Sequence, residues 1–375
     1  MTFEPSGSVE FRPMPRRLLS LLLLLALFAG ACSDDPEPEQ TQAAEESPEP
    51  PPPPPEPIRC PLTGVELPAG VDINRPAMAV KIDNHPRARP QSGMETADIV
   101  YEELVEGGLT RFMAIYHCGD AADIGPTRSA RAVDPDIMTQ YAPVLFAYSG
   151  ASPNNLAKVA RTPGIINLQH GSNGPAYSRR GGRPAPHNLY TSTERIRSRP
   201  AAQGVVGPPK TGLIFNPKLV PVPPPPPPPP PVAASPGAPV PPPPPPVGPP
   251  PGNKITFSYS GAVGVTYTYD PASNRYLRFQ GGSPHNSASG ARLGGTNVVV
   301  MKVAVDRSGS SPEIAVAGTG EAMVLRNGQA IHGKWVRPGL ADQTTLVDDA
   351  GQPIELAAGN TWINLLPSDR AFTVE

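Results

Sequence analysis

Charge is scarce in this chain: Asp, Glu, Lys and Arg make up 17% of its 375 residues, and the formal net charge is −2. That balance excludes a strongly basic nucleic-acid binder and a highly charged chain that is disordered throughout. Cysteine is scarcer still, with three residues, and the chain has no close-spaced His/Cys signature of a metal site. No metal site is expected. Phosphate-loop and dinucleotide fingerprints are missing, and so is a Gly-x-Ser-x-Gly nucleophile elbow, so no cofactor is implied and acyl-transfer chemistry has no recognisable signature. Beyond the leader, no segment is apolar enough to span a membrane.

What the chain has in excess is proline (57) and glycine (36), together about a quarter of its residues. The prolines are concentrated. Pro50–Pro55 sits in an acidic segment, while Pro223–Pro231 and Pro241–Pro246 interrupt the middle of the chain. Between Asp34 and Glu56 there are eight acids and no Lys or Arg; residues 57–375 carry 28 bases against 23 acids. An acidic tether thus leads to a mildly basic body, a sign that favours anionic surfaces only weakly.

The N-terminus reads as an export signal. Arg12, Arg16 and Arg17 precede the apolar run Leu18 to Ala29, too short to cross about 30 Å of hydrocarbon, and small residues follow. Ala29-Gly30-Ala31-Cys32 resembles the lipobox of bacterial lipoproteins, which implies a diacylglycerol on Cys32 and an extracytoplasmic body anchored to the outer face of the cytoplasmic membrane. The alternative is a secreted chain with an incidental cysteine. Cys60 and Cys118 are then an even pair in an oxidising compartment and are expected to form a disulfide, worth roughly 4 kcal/mol by chain entropy less any strain.

Five segments follow: a signal peptide (1–31), a disordered tether (32–58), an N-terminal domain (59–216), a polyproline linker or insert (217–252) and a C-terminal domain (253–375). In the first domain Ala77–Asp83 reads as a buried strand, and Ile99–Val105 with Leu109–His117 as a hairpin about Gly107-Gly108. Asp134-Pro135 and Ser152-Pro153 look like helix starts, with Val144–Tyr148 a strand between them. The second domain shows short strand signals, among them Ile255–Tyr259, Asn297–Val305 and Thr361–Leu365, while Gly281-Gly282 and Gly294-Gly295 read as turns. The expected class is α+β: a mixed α/β domain with an irregular sheet, then a mostly β domain. Proline runs lacking N–H donors fit a semi-rigid spacer; whether the two bodies stand apart or pack together stays open.

Ordered motifs carry a wider resemblance. Arg75 to Pro86, Arg89-Pro90-Gln91-Ser92-Gly93, Ala97 to Glu102, Gly108 to Phe112, Gly125 to Arg131, Pro186 to Tyr190, Arg326-Asn327-Gly328, Gly333-Lys334-Trp335 and Gly359 to Trp362 are similar to the YerB-like family of bacterial lipoproteins. The resemblance covers about 60–216 and 253–375. It implies an anchored two-domain extracytoplasmic protein and supplies no activity or catalytic residue set.

The first domain gathers polar residues that are costly to bury at the ends of apolar strands: Asp83, Asn84, His85, Glu102, Arg111, Arg128, Arg131, His187 and Asn188. As a site, the three arginines would hold a carboxylate or phosphate while His85 or His187 exchanges a proton. As structure, the same residues would be ion pairs fixing loops, with Asp83 and Glu102 facing arginines. Glu102 and Glu103, adjacent on a strand, point to opposite faces and cannot act together as a glycosidase pair. Trp335 and Trp362 fit core positions better than sugar-stacking platforms. The leading reading is a non-catalytic binding or scaffold protein whose partners are the membrane, through its anchor, and a cell-wall polymer or envelope protein, with no nucleic acid. An envelope hydrolase or transferase using His187 or His85 with Glu102 is the alternative.

Overall fold

A computed structural model of the protein describes residues 56–221, 250–261 and 263–375. The leader, Cys32, the tether up to residue 55 and the long proline runs lie outside the described residues. Among those described, no helix is long and apolar enough to cross a membrane.

The chain opens on three strands, β1 (Ala77–Asp83), β2 (Ile99–Leu104) and β3 (Thr110–Tyr116), each buried along its whole length. Burial on both faces explains why β1 reads as a nearly continuous apolar run rather than an alternation. β2 and β3 form the expected antiparallel hairpin, its turn carried by Gly107 and Gly108 at φ 68° and 69°, a region that glycine enters without steric cost. β3 pairs antiparallel with β1, and β1 continues in parallel to β4 (Val144–Ala147) and β5 (Ile165–Asn167). Two helices, α1 (Val133–Met138) and α2 (Pro153–Arg161), lead into those last strands. Ser152 caps α2 as its sequence suggests, its Oγ accepting the Asn155 N–H. Asp134 does not cap α1. It lies inside the first turn and is drawn inward by Lys81.

The C-terminal half supplies β6 (Lys254–Ser260), β7 (Val263–Asp270), β8 (Arg275–Gln280), β9 (Asn297–Val303), β10 (Gly318–Arg326), β11 (Gln329–Arg337), β12 (Thr345–Asp348), β13 (Thr361–Pro367) and β14 (Phe372–Val374). It is mostly β, and the N-terminal half is mixed, as the composition of their strand and helix signals indicates. β8, β7, β6 and β14 form a separate antiparallel sheet. The others join the N-terminal strands in one ten-stranded sheet, ordered β12-β11-β10-β9-β13-β2-β3-β1-β4-β5. Its junction is the parallel pairing of β2 with β13, Ile99 opposite Thr361 through Glu103 opposite Leu365.

This settles what the sequence leaves open: the two halves share a sheet. Ile214–Asn216, just before the proline insert, pairs with Glu355–Ala357, and Pro251, just after it, bridges Gln329. Both flanks of the insert are tied to the same compact unit, Pro55–Glu375, so of the two arrangements left open the halves pack together.

Two apolar layers flank the large sheet. On one face Val80, Val100, Phe112, Val298 and Trp362 pack beneath Ile255, Phe257 and Tyr267 of the second sheet. On the other, Ile99, Met113 and Ile363 lie with Val133 and Ile137 of α1. Both tryptophans are core residues, and Trp335 Nε1 donates to the Lys302 carbonyl at 2.8 Å. Gly294-Gly295 is not a turn but a short strand against Tyr276 and Leu277. A Cβ at Gly294 would stand 2.0 Å from the Tyr276 carbonyl oxygen, so the close approach requires glycine.

Cys60 and Cys118 form the expected disulfide, tying the first described turn to the end of β3 across 58 residues. Replacing both by Ser is expected to cost about 2–4 kcal/mol, mainly by releasing the unfolded chain. Urea unfolding with and without reductant checks this; coincident curves would show that the crosslink contributes nothing.

Candidate functional site

β1 ends at Asp83, whose cross-strand partner on β3 is Arg111. There the chain turns away: Asp83 Oδ1 accepts the His85 N–H at 3.0 Å, and the Gly125–Ala130 segment takes the space beside β1 beyond the end of β4. Arg128 N–H donates to the Lys81 carbonyl and Ser149 N–H to the Arg128 carbonyl, so Arg128 is laid between the carboxyl ends of two parallel strands. Open sheets place ligand crevices at that edge.

Six of the predicted site residues meet here. Asp83, almost fully buried, has one oxygen hydrogen-bonded to His187 Nδ1 at 2.8 Å, and the same oxygen forms an ion pair, without hydrogen-bond geometry, with Arg128 Nε at 3.1 Å. His85 stacks on His187 with ring centroids 4.6 Å apart and planes 20° from parallel. Arg111 is nearly buried, its Nη1 donating to the Ser129 carbonyl at 2.8 Å, and Arg131 donates to the same carbonyl at 3.3 Å. Arg131 is held by Glu106, whose carboxylate accepts from Nε at 3.0 Å and Nη2 at 2.6 Å. Burial works against the charge of Glu106, but bonds from Arg131 and Ser311 hold its carboxyl down at about 2.

Three guanidiniums therefore converge with two carboxylates, Asp83 and Glu106. Burial, followed by repulsion from Arg131 and Arg128, lowers the Arg111 pKa to about 10, still charged at neutral pH. The excess of positive charge at a half-open edge suits an anion.

Asn188 and Glu102 do not join the cluster. Asn188 fixes a neighbouring loop, donating to the Arg180 and Arg183 carbonyls and accepting from Arg179. Glu102 projects from β2 to the opposite face, fully buried, where Arg278 of β8 grips both its oxygens at 2.9 and 2.7 Å. Thr110 and Asn84 also donate to Glu102, and His285 links Arg278 to Gln91. The candidate acid of a His–Glu pair is thus part of the bond between the two halves. Glu103, on the other face as its spacing predicts, is buried with Lys81 and Asp134. The Lys81–Glu103–Asp134 system, the identity of Arg278 as the arginine facing Glu102, and Arg337, which donates to the Asp136 and Leu340 carbonyls and to Thr139, are absent from the sequence reading. Lys81, set between Val80 and Ile82 in a buried strand, was the legible hint.

Comparison with known proteins gives these residues a family. Residues 62–206 match the model described as "Protein of unknown function (DUF3048) N-terminal domain", and residues 254–363 match its C-terminal domain. The chain is 27% identical over 323 residues to "Putative lipoprotein YerB" of Bacillus subtilis (strain 168), covering 84% of this chain and 88% of that protein. A crystal structure of YerB protein from Bacillus subtilis superposes with a TM-score of 0.67 at 23% identity, over 84% of this chain and 99% of that one. Both halves, in order and with the fold they share, place this chain in the DUF3048 family of YerB-like proteins.

Proposed function

We propose that this protein is a lipoprotein of the cell envelope, anchored through Cys32 to the outer face of the cytoplasmic membrane, that binds an anionic group of a cell-wall polymer or envelope protein without turning it over. The observation that carries the reading is the convergence of Arg111, Arg128 and Arg131 beside the His85–His187 stack. Support for the anchor comes from the leader with its Cys32 and from the relative's name as a lipoprotein. Cys32→Ala is expected to move the protein from the membrane fraction to the soluble one; equal membrane retention would contradict the anchor.

Arg111→Ala with Arg128→Ala is expected to weaken binding at least tenfold while the protein stays folded, each lost charge-assisted bond counting for about 1.5–3 kcal/mol. Pull-down from envelope extracts, paired with circular dichroism, is the check. Undiminished binding by the folded double variant would remove the site from this surface.

A second reading has one observation in its favour. Asp83 holding His187 Nδ1 is the arrangement that orients a general base, with Asp83 in the place where sequence put Glu102. A hydrolase or transferase would release wall fragments in a His187-dependent manner. No release by wild type above a His187→Ala control excludes it.

A further inference from the structure

The nitrogens of the stacked histidines are individually assigned by their partners. His85 Nδ1 accepts the Arg87 backbone N–H at 3.1 Å, so a neutral His85 carries its proton on Nε2. His187 Nδ1 faces the Asp83 carboxylate, so a neutral His187 keeps its proton there and leaves a bare lone pair on Nε2. Neither Nε2 has a hydrogen-bond partner among the described residues, and neither is sealed from solvent. Two rings 4.6 Å apart thus offer one donor and one acceptor beside the Arg128 guanidinium. Burial lowers the His85 pKa, which favours its neutral ring.

We propose that the site selects an oxyanion that retains a hydroxyl, namely phosphate or a phosphate monoester. Its ionised oxygen lies on Arg128 and the His85 Nε2–H, and its P–OH donates to His187 Nε2. This rests on the anion-binding reading and narrows it. Carboxylates, phosphodiesters and sulfate have only acceptors and would set a negative oxygen against the His187 lone pair with no proton between them. An uncharged polyol supplies the donor but gives Arg128 nothing to pair with.

Calorimetric titration of the full chain near pH 7 with inorganic phosphate and with sulfate tests the selection. Phosphate keeps at least one P–OH there, whereas sulfate has none. Phosphate is expected to bind at least about tenfold more tightly. In His187→Phe, which keeps a stacked ring, the two affinities should fall within about twofold. Should that variant unfold, the wild-type comparison decides alone. Equal wild-type affinities overturn the donor and acceptor assignment yet leave anion binding standing, while no binding of either ion overturns both. Glycerol 3-phosphate separates the sources: tighter binding than the free ion, with uptake of nearly one proton, assigns a terminal phosphate of a larger molecule, and weaker binding assigns free phosphate.

Discussion

Arg278→Met is expected to lower the unfolding free energy by about 3–5 kcal/mol. Arg278 and Glu102 are both fully buried, so losing the guanidinium strands a carboxylate that no water can reach. The guanidinium also lies 5.3 Å from the Phe112 ring and 5.6 Å from Trp362, so packing is lost with the charge. Because Glu102 belongs to the N-terminal half and Arg278 to the C-terminal half, the loss falls on the junction. Adding Glu102→Gln to Arg278→Met removes the orphaned charge and should recover much of the deficit. Denaturant unfolding of the single and double variants is the check; a loss below about 1 kcal/mol in the single variant would mean the pair does not join the halves.

Lys81→Met carries the second large effect, about 3–5 kcal/mol near neutral pH, since it leaves Asp134 and Glu103 together without a cation. All three side chains are wholly buried. Burial, with the charge of Asp134 next in size, pushes the Glu103 pKa up to about 8, so at neutral pH this carboxyl is mostly protonated. The sign follows from linkage. A carboxyl that binds its proton more tightly when folded contributes stability fully present below its unfolded pKa of about 4.5 and lost as pH rises through about 8. Glu103→Gln, which keeps the shape and cannot ionise, should therefore gain on the wild type as pH is raised from about 5 to 9, with no such gain in acid. Melting temperatures across that range test it, and parallel profiles would show that Glu103 does not hold the proton. The triad lies directly under the candidate site, because Asp134 Oδ2 accepts the Arg131 backbone N–H at 2.6 Å.

Local features were legible from sequence where a short segment decides its own structure. β1, the β2–β3 hairpin and the Ser152 cap follow from apolar runs, glycine turns and a capping hydroxyl. Even the opposite facing of Glu102 and Glu103 follows from strand alternation. Partners distant in the chain were not legible. The β2–β13 pairing joins residues more than 250 positions apart, and nothing near Ile99 or Thr361 records it. A separation of 176 positions likewise hides Arg278 from Glu102, although Tyr276, Arg278 and Gln280 alternate inward along β8. Hence Glu102 looked like a site residue, since an acid in an apolar strand signals either a cleft or a hidden cation. The clustering of Asp83, His85, Arg111, Arg128, Arg131 and His187 was anticipated as a group of costly polar residues. Its geometry was not, because the Asp83–His187 contact spans 104 positions.

Retention of the body, residues 56–375, by purified cell envelopes containing both wall and membrane tests the binding reading most directly. This piece lacks the anchor, so retention reports the body's own surface. Wild type should be retained, and Arg128→Ala, equally folded, should lose at least about tenfold of its affinity, with no fragments released by either. A wild type that stays in solution, or an Arg128→Ala variant retained as strongly as wild type, would contradict binding at the Arg128 site.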